Sequence, residues 1–550
     1  MTQRSGWKAL SGTVLVTLLL AACGSGSTGT SESLAPDQTL RFPINEDIGT
    51  LDAAHISALV DFDFGQNVFD SVVTFDKSGK IVPDLATGLP NVSSDGLTYT
   101  FHLKHNVKFS NGDPVTAADV IYSWNRTAAA QDAYAPNFSP IAGYDALAAT
   151  PPTAKTMTGL TKTDDYTVVA KLSNSAGWWM SALALGGASW VIDQKVVQAK
   201  GEDTWWTTPE GLVGTGPFKM TARTPKASLD FAPVSNWWNG STGALKKIHV
   251  DVVADPASWV TKYEQGGYEI VGYADMAATN EDILRYKAGT HANELTLNPS
   301  VRSTWVGFNF EKGPFAGAAG KDGRKAFSMA IDRSQMVDVA CAKGATCAPA
   351  TGGLIPKGLK GYLGDGQDAS AKFDAAAAMT LYKQWDPTGS KVKNLTYSYN
   401  PSAQNQATAE NLQAQWKQNL GVTVKLEAID RQTFFTSRDK KTYIMFRHSW
   451  SADYDHPQDW FDNLYVTGAG SGGTGYSNKA LDQLVTSADQ KPIDQSLNDY
   501  IQAQKMMIDD SFSAPLYYGV QPYIIKPYVK GAGGNAFFDY LWTDIRILQH

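Results

Sequence analysis

The segment from Arg447 to Phe461, RHSWSADYDHPQDWF, gathers one arginine, two histidines, three aspartates and four aromatic residues within fifteen positions. Three kinds of chemistry use such a mixture. Paired carboxylates hydrolyse glycosides, short acidic runs solvate turns, and a carboxylate beside aromatic walls holds a cationic group. Glycosidic chemistry needs two carboxylates at a defined separation, and Asp453, Asp455, Asp459 and Asp462 lie too close in sequence to define one. The chain has no G-x-S-x-G elbow, H-E-x-x-H helix or phosphate-binding loop. The glycine-rich run Gly468 to Gly473 does not open a helix and reads as a loop. His102 and His105 are spaced like metal ligands, but in a strand they point to opposite faces, so no metal or other cofactor is expected.

The elements around this segment place it. Leu412, Trp416 and Leu420 recur at helical spacing, Gly421 ends that helix, and Val422, Val424 and Leu426 then alternate as a strand does. Thr442 to Phe446 is an apolar run of buried-strand length that leads directly into Arg447. The segment is therefore expected at the C-terminal end of a strand in an α/β layer, where open sheets receive ligands. A second α/β unit is predicted from the alternation of Leu97 to Leu103 and a helix capped by Thr116, with Val120, Ile121 and Trp124 inward. The 16 tryptophans include the doublets Trp178-Trp179, Trp205-Trp206 and Trp237-Trp238. Rings at strand ends suit permissive pockets, which favours binding over catalysis.

The N-terminus reads as an export signal. Arg4 and Lys8 precede the apolar run Val14 to Leu20, too short to span a bilayer, which stops at Leu20-Ala21-Ala22-Cys23. Small residues before a cysteine are what a lipoprotein signal peptidase accepts, so residues 1–22 are expected to be removed and Cys23 to carry the lipid. Residues 23–36 are rich in Gly and Ser and read as a flexible tether. The rest has the composition of a globular body, with 43% hydrophobic and 18% charged residues and 47 basic against 54 acidic groups. Nothing suggests a nucleic-acid partner. Cys341 and Cys347 lack a nearby His or Cys to complete a metal site, and a disulfide is the favoured reading in an oxidising compartment. At 550 residues the chain exceeds a single core.

Several blocks in order resemble the family 5 extracellular solute-binding proteins of bacterial ABC importers, most of all the oligopeptide-binding members. They are Gly49-Thr50-Leu51-Asp52, Gly79 to Ala86, Thr98 to Leu103 continuing through Lys108 to Val120, Gly214 to Phe218, Ala330-Ile331-Asp332-Arg333, and Ala452-Asp453-Tyr454 with Pro457. The resemblance implies an α/β, two-lobed periplasmic-binding-protein-like fold of class II type, with mixed sheets, an extra third domain and a hinge of two crossing segments. The crossings are expected near Leu297 to Trp305 and near Ser513 to Tyr518. The first lobe would comprise residues 37–70, 215–300 and 515–550, with residues 71–214 as its additional domain, and residues 301–514 would form the second lobe.

The same resemblance implies a non-enzymatic, monomeric, lipid-anchored component on the extracytoplasmic face of the cell membrane, which passes short peptides to an ABC permease. Asp453 would pair with the peptide's α-amino group. Arg447, six residues earlier and on the same face of an extended segment, would contribute to holding its carboxylate. Trp450 would wall a side-chain pocket, and Tyr454 and Tyr517 would line the cleft. A non-peptide ligand such as haem, a nickel chelate or an oligosaccharide, or an exported hydrolase, are the alternatives.

Overall fold

The computed structural model describes residues 33–273, 276–534 and 541–550. The export signal, Cys23 and most of the tether lie outside the described residues. Two bodies are defined by where apolar side chains gather. One core runs from Ala35 to Tyr286 and is completed by Tyr523 to Ile547, and two further clusters draw on residues between Trp305 and Tyr517.

In the first body, the strand Thr39–Ile44 lies parallel to Lys247–Val252, followed by Ser228–Pro233 and Phe218–Thr224 in antiparallel order. A second four-stranded sheet runs Asn91–Val92, Thr98–His102, Thr167–Lys171, Leu160–Asp164. The expected Leu97 to Leu103 strand is thus present. The helix after Thr116 spans Ala117–Ala130 with Val120 and Trp124 wholly buried and Ile121 half-buried. Asp119 closes its first turn by accepting the Thr116 backbone N–H at 2.9 Å.

The second body is built on a seven-stranded sheet. Its main path is Ile270–Val271, Ser513–Ile525, Leu295–Phe308, Met445–Ser451, Thr396–Tyr399, Lys425–Ala428, and Cys347–Pro349 pairs beside Ser513–Ile525. Helix Ala403–Leu420 buries Leu412, Trp416 and Leu420 against this sheet and ends at Gly421, whose φ of 70° suits glycine. Val422 and Val424 are buried as the alternation requires, although the strand proper begins at Lys425. The apolar run before the site becomes a strand later than its hydrophobicity suggests. Pairing starts at Met445 and continues through Arg447 to Ser451, because that stretch lies opposite Arg302 to Phe308.

Two long antiparallel strands, Leu295–Phe308 and Ser513–Ile525, join the bodies. Leu295, Tyr523 and Ile524 pack in the first core, whereas Val306, Phe308, Ala514, Leu516 and Tyr517 pack in the second. Their pairing slips between Pro299 and Ser303, opposite Val520 and Tyr518. Such an irregularity bends and twists a ribbon locally, so it marks the crossing. Residues 515–518, assigned by sequence to the first lobe, accordingly sit with the second. The Cys341 and Cys347 sulfurs are bonded, with Cα atoms 5.4 Å apart. That closed loop lies against the crossing: Cys347 is opposite Gly519, and Thr346 accepts the Val520 N–H at 3.0 Å.

Candidate ligand-binding cleft

The two bodies touch at several places. At one contact the Gly177 N–H donates to the Asp489 carbonyl at 2.7 Å, and the Ser175 hydroxyl donates to the Gln490 carbonyl at 2.7 Å. At another, Tyr454 of the second body is buried within the first body's core.

Asp453 lies two residues past the end of strand Met445–Ser451, largely buried, and its Oδ1 accepts the Tyr134 hydroxyl of the opposite body at 3.2 Å. A second carboxylate, Asp459, adjoins it and is wholly buried. Its Oδ2 accepts the Trp450 indole N–H at 3.0 Å and the Asp453 backbone N–H at 3.1 Å, and Asn463 donates to its Oδ1 at 3.2 Å. Burial pushes Asp453 up to about 6. Burial, then the charge of Asp453, hold Asp459 well above the usual carboxylate range. Two neighbouring carboxyls cannot readily both ionise away from water. Burial likewise holds the Tyr134 phenol well above its ordinary value, so it acts as a donor.

Arg447 occupies the other end. Positions 447, 449 and 451 share one face of strand Met445–Ser451, and Asp453 follows two residues past its end. The Arg447 guanidinium donates to the Asn400 side-chain oxygen at 3.3 Å and to the Ser449 hydroxyl at 2.8 Å. Both partners are neutral. Burial lowers its pKa, the direction for a cation taken out of water. Tyr517 projects from the neighbouring long strand opposite Thr304, and its hydroxyl lies 3.4 Å from Thr408 Oγ1.

The sequence-predicted residues therefore separate into two groups. Asp453, Trp450 and Tyr454 cluster at the acidic end, and Arg447 and Tyr517 at the basic end. Trp450 alternates with Arg447 to the other face, where it packs beside Val301 against the cluster containing Trp305, and its indole fixes Asp459. Tyr454 is 4% exposed, and its hydroxyl donates to Gln458 at 2.6 Å. Tyr134 and Asp459 escaped the sequence reading. Tyr134 has no local signal, and Asp459 is one of four closely spaced acids, set apart only by the apolar Trp460-Phe461 that follows it and marks a segment turning inward. Among the described residues no three His, Cys, Asp or Glu side chains gather as a metal site.

Comparison with known proteins agrees with this architecture. The family described as bacterial extracellular solute-binding proteins, family 5 Middle, matches residues 80–472. The periplasmic murein peptide-binding protein MppA of Escherichia coli is 27% identical over 511 residues, covering 90% of this chain and 91% of its own. The periplasmic oligopeptide-binding protein OppA of Salmonella typhimurium is 26% identical over 567 residues, covering 99% of each. The unliganded open form of MppA superposes with a TM-score of 0.78 at 25% identity, covering 95% of this chain and 99% of the other. These relatives are binding proteins rather than enzymes, and their mixed α/β fold of several domains is the fold described above. The chain belongs to the bacterial extracellular solute-binding proteins of family 5.

Proposed function

We propose that this protein captures short peptides between its lobes and delivers them to an ABC permease in the membrane. One observation carries the reading. A carboxylate, Asp453, touches the opposite lobe just past the end of strand Met445–Ser451, and an arginine with only neutral hydrogen-bond partners lies six residues earlier on that strand. Every unmodified peptide offers the matching pair, an α-ammonium group and an α-carboxylate, whatever its side chains. A charge pair inside a closed cleft is less screened than one at the surface, so the termini can supply affinity while the side-chain pockets stay permissive. The relatives named for murein peptides and oligopeptides support the same class of ligand.

Binding of this kind closes two lobes about a hinge, and the closed surface is what a permease would recognise. Attachment through acyl chains on Cys23 keeps the body beside that permease, and the sequence Leu20-Ala21-Ala22-Cys23 supports it. Among the described residues no helix is long and apolar enough to cross a membrane. The test is mass spectrometry of whatever co-purifies with the body expressed from residue 37, followed by calorimetry against a pool of short peptides. Bound peptides and a saturable heat are expected. Haem, nickel or a glycan in the sample with no heat from peptides would overturn the assignment. Metabolic labelling should find acyl chains on the native protein and none on Cys23→Ala.

A further inference from the structure

The basic end of the cleft holds two buried donors without acceptors. Arg447 Nε and the Tyr397 hydroxyl are both removed from solvent and lack a hydrogen-bond partner. The two terminal nitrogens of Arg447 are already engaged, with Asn400 and Ser449, which leaves its Nε–H. Buried polar groups are nearly always satisfied, and two orphans side by side call for one shared acceptor.

Strand geometry brings them together. Thr396–Tyr399 runs parallel to Met445–Ser451 with Tyr397 opposite Met445, so its side chain points to the face that carries Arg447 two residues on. The Tyr397 ring is fixed, stacked at 6.2 Å on Tyr399 and edge-on at 6.0 Å to Trp416. The Arg447 charge lies near enough to act on its phenol, although burial dominates and keeps that phenol protonated. Arg302 and Arg438, the latter paired with Asp439 at 2.8 Å, also lie within electrostatic reach of Arg447.

We propose that Tyr397 is the second donor of a carboxylate subsite, in which its hydroxyl and the Arg447 Nε–H each take one oxygen of the peptide's C-terminal carboxylate. This rests on the peptide reading above and adds a residue and a selectivity to it. Two fixed donors accept a carboxylate, which offers acceptors only. They disfavour a C-terminal amide, which brings no negative charge to the guanidinium and only one acceptor oxygen to two donors. The subsite therefore selects free acids over amidated peptides.

The experiment is calorimetry of the whole soluble body with one tripeptide pool prepared as free acids and as C-terminal amides, on the native protein, Tyr397→Phe and Arg447→Lys. The native protein should prefer the acids. Tyr397→Phe should weaken acids by about tenfold or more, the scale of one hydrogen bond to a charged group, while changing amides by less than about twofold and leaving the melting temperature close to native. Arg447→Lys, which keeps the charge and removes the Nε–H, should reduce the preference without abolishing it. Equal losses for acids and amides, or no loss for either, in Tyr397→Phe would make its role packing alone and overturn the proposal. Tight binding of both pools without preference by the native protein would overturn it while leaving the peptide reading intact. Binding of neither pool would overturn both.

Discussion

The hydroxyl of Tyr134 and the carboxylate of Asp453, 319 residues apart in sequence, meet at 3.2 Å across the cleft. Each lobe thus supplies one member of the same polar contact, and the proposed amino-terminal anchor is complete only when the lobes are together. Tyr134→Phe should therefore weaken peptide binding by about tenfold, the scale of one hydrogen bond to a charged group. The loss should appear chiefly in the dissociation rate followed by stopped-flow fluorescence. An unchanged dissociation rate would mean that Tyr134 merely rests against the anchor.

The Asp453–Asp459 pair makes both stability and affinity depend on pH. Both folded-state values stand above those of an unfolded chain, and burial is the first cause in each case. The protonated pair thus contributes stability in full below about pH 4, and that contribution is lost as the pH rises through about 6 for Asp453 and higher for Asp459. A second buried pair acts in the same direction, with Asp489 pushed up to about 8 by burial and then by the charge of Asp462. The unliganded protein should consequently melt at lower temperature at pH 8 than at pH 6. Peptide affinity should move the opposite way, rising from pH 5 to pH 7 as the anchor ionises. Calorimetry in buffers of different ionisation heat should find a proton released on binding. Asp459→Asn keeps acceptor capacity for Trp450 and the Asp453 N–H, and should flatten both profiles.

Gly177 supplies a closure contact that only glycine permits. A Cβ at this position would stand 1.8 Å from the Lys491 carbonyl oxygen. Gly177→Ala should hold the lobes apart, enlarge the radius of gyration measured by small-angle scattering, and weaken peptides by at least about fivefold. The folding of each lobe should be unaffected.

The Cys341–Cys347 bond closes a loop with a sequence separation of only 6, so its effect on the unfolded chain is small. Replacing both residues by Ser should cost about 2 kcal/mol in a denaturant titration. The strand Cys347–Pro349 should loosen first in hydrogen exchange, because it is three residues long and pairs with one strand alone.

Much of this site is legible in the sequence because it is local. Arg447, Trp450 and Asp453 occupy one strand and its end, and an alternating polar pattern fixes which side chains share a face. The alternation also places Trp450 away from Arg447, so its function as the partner of Asp459 follows from the same rule once the strand is known to reach Ser451. Tyr134, Tyr397 and the exact crossing near Val520 are not legible this way. Tyr134 arrives from another domain, Tyr397 matters through the parallel neighbour it happens to face, and the crossing is set by a slip in register between strands more than 200 positions apart.

The central claim is that Asp453 receives the α-ammonium group of a bound peptide, and one double comparison tests it most directly. Calorimetry should be run with a short peptide and its N-acetylated form on the native protein and on Asp453→Ala. Removing either partner of a buried charge pair costs about 2 to 5 kcal/mol, or about 30-fold to several-thousand-fold in affinity. Acetylation should cause a loss of that size in the native protein and little further loss in Asp453→Ala, because the same interaction is already gone. Losses that simply add would contradict the account, since they would show that Asp453 and the amino group do not meet.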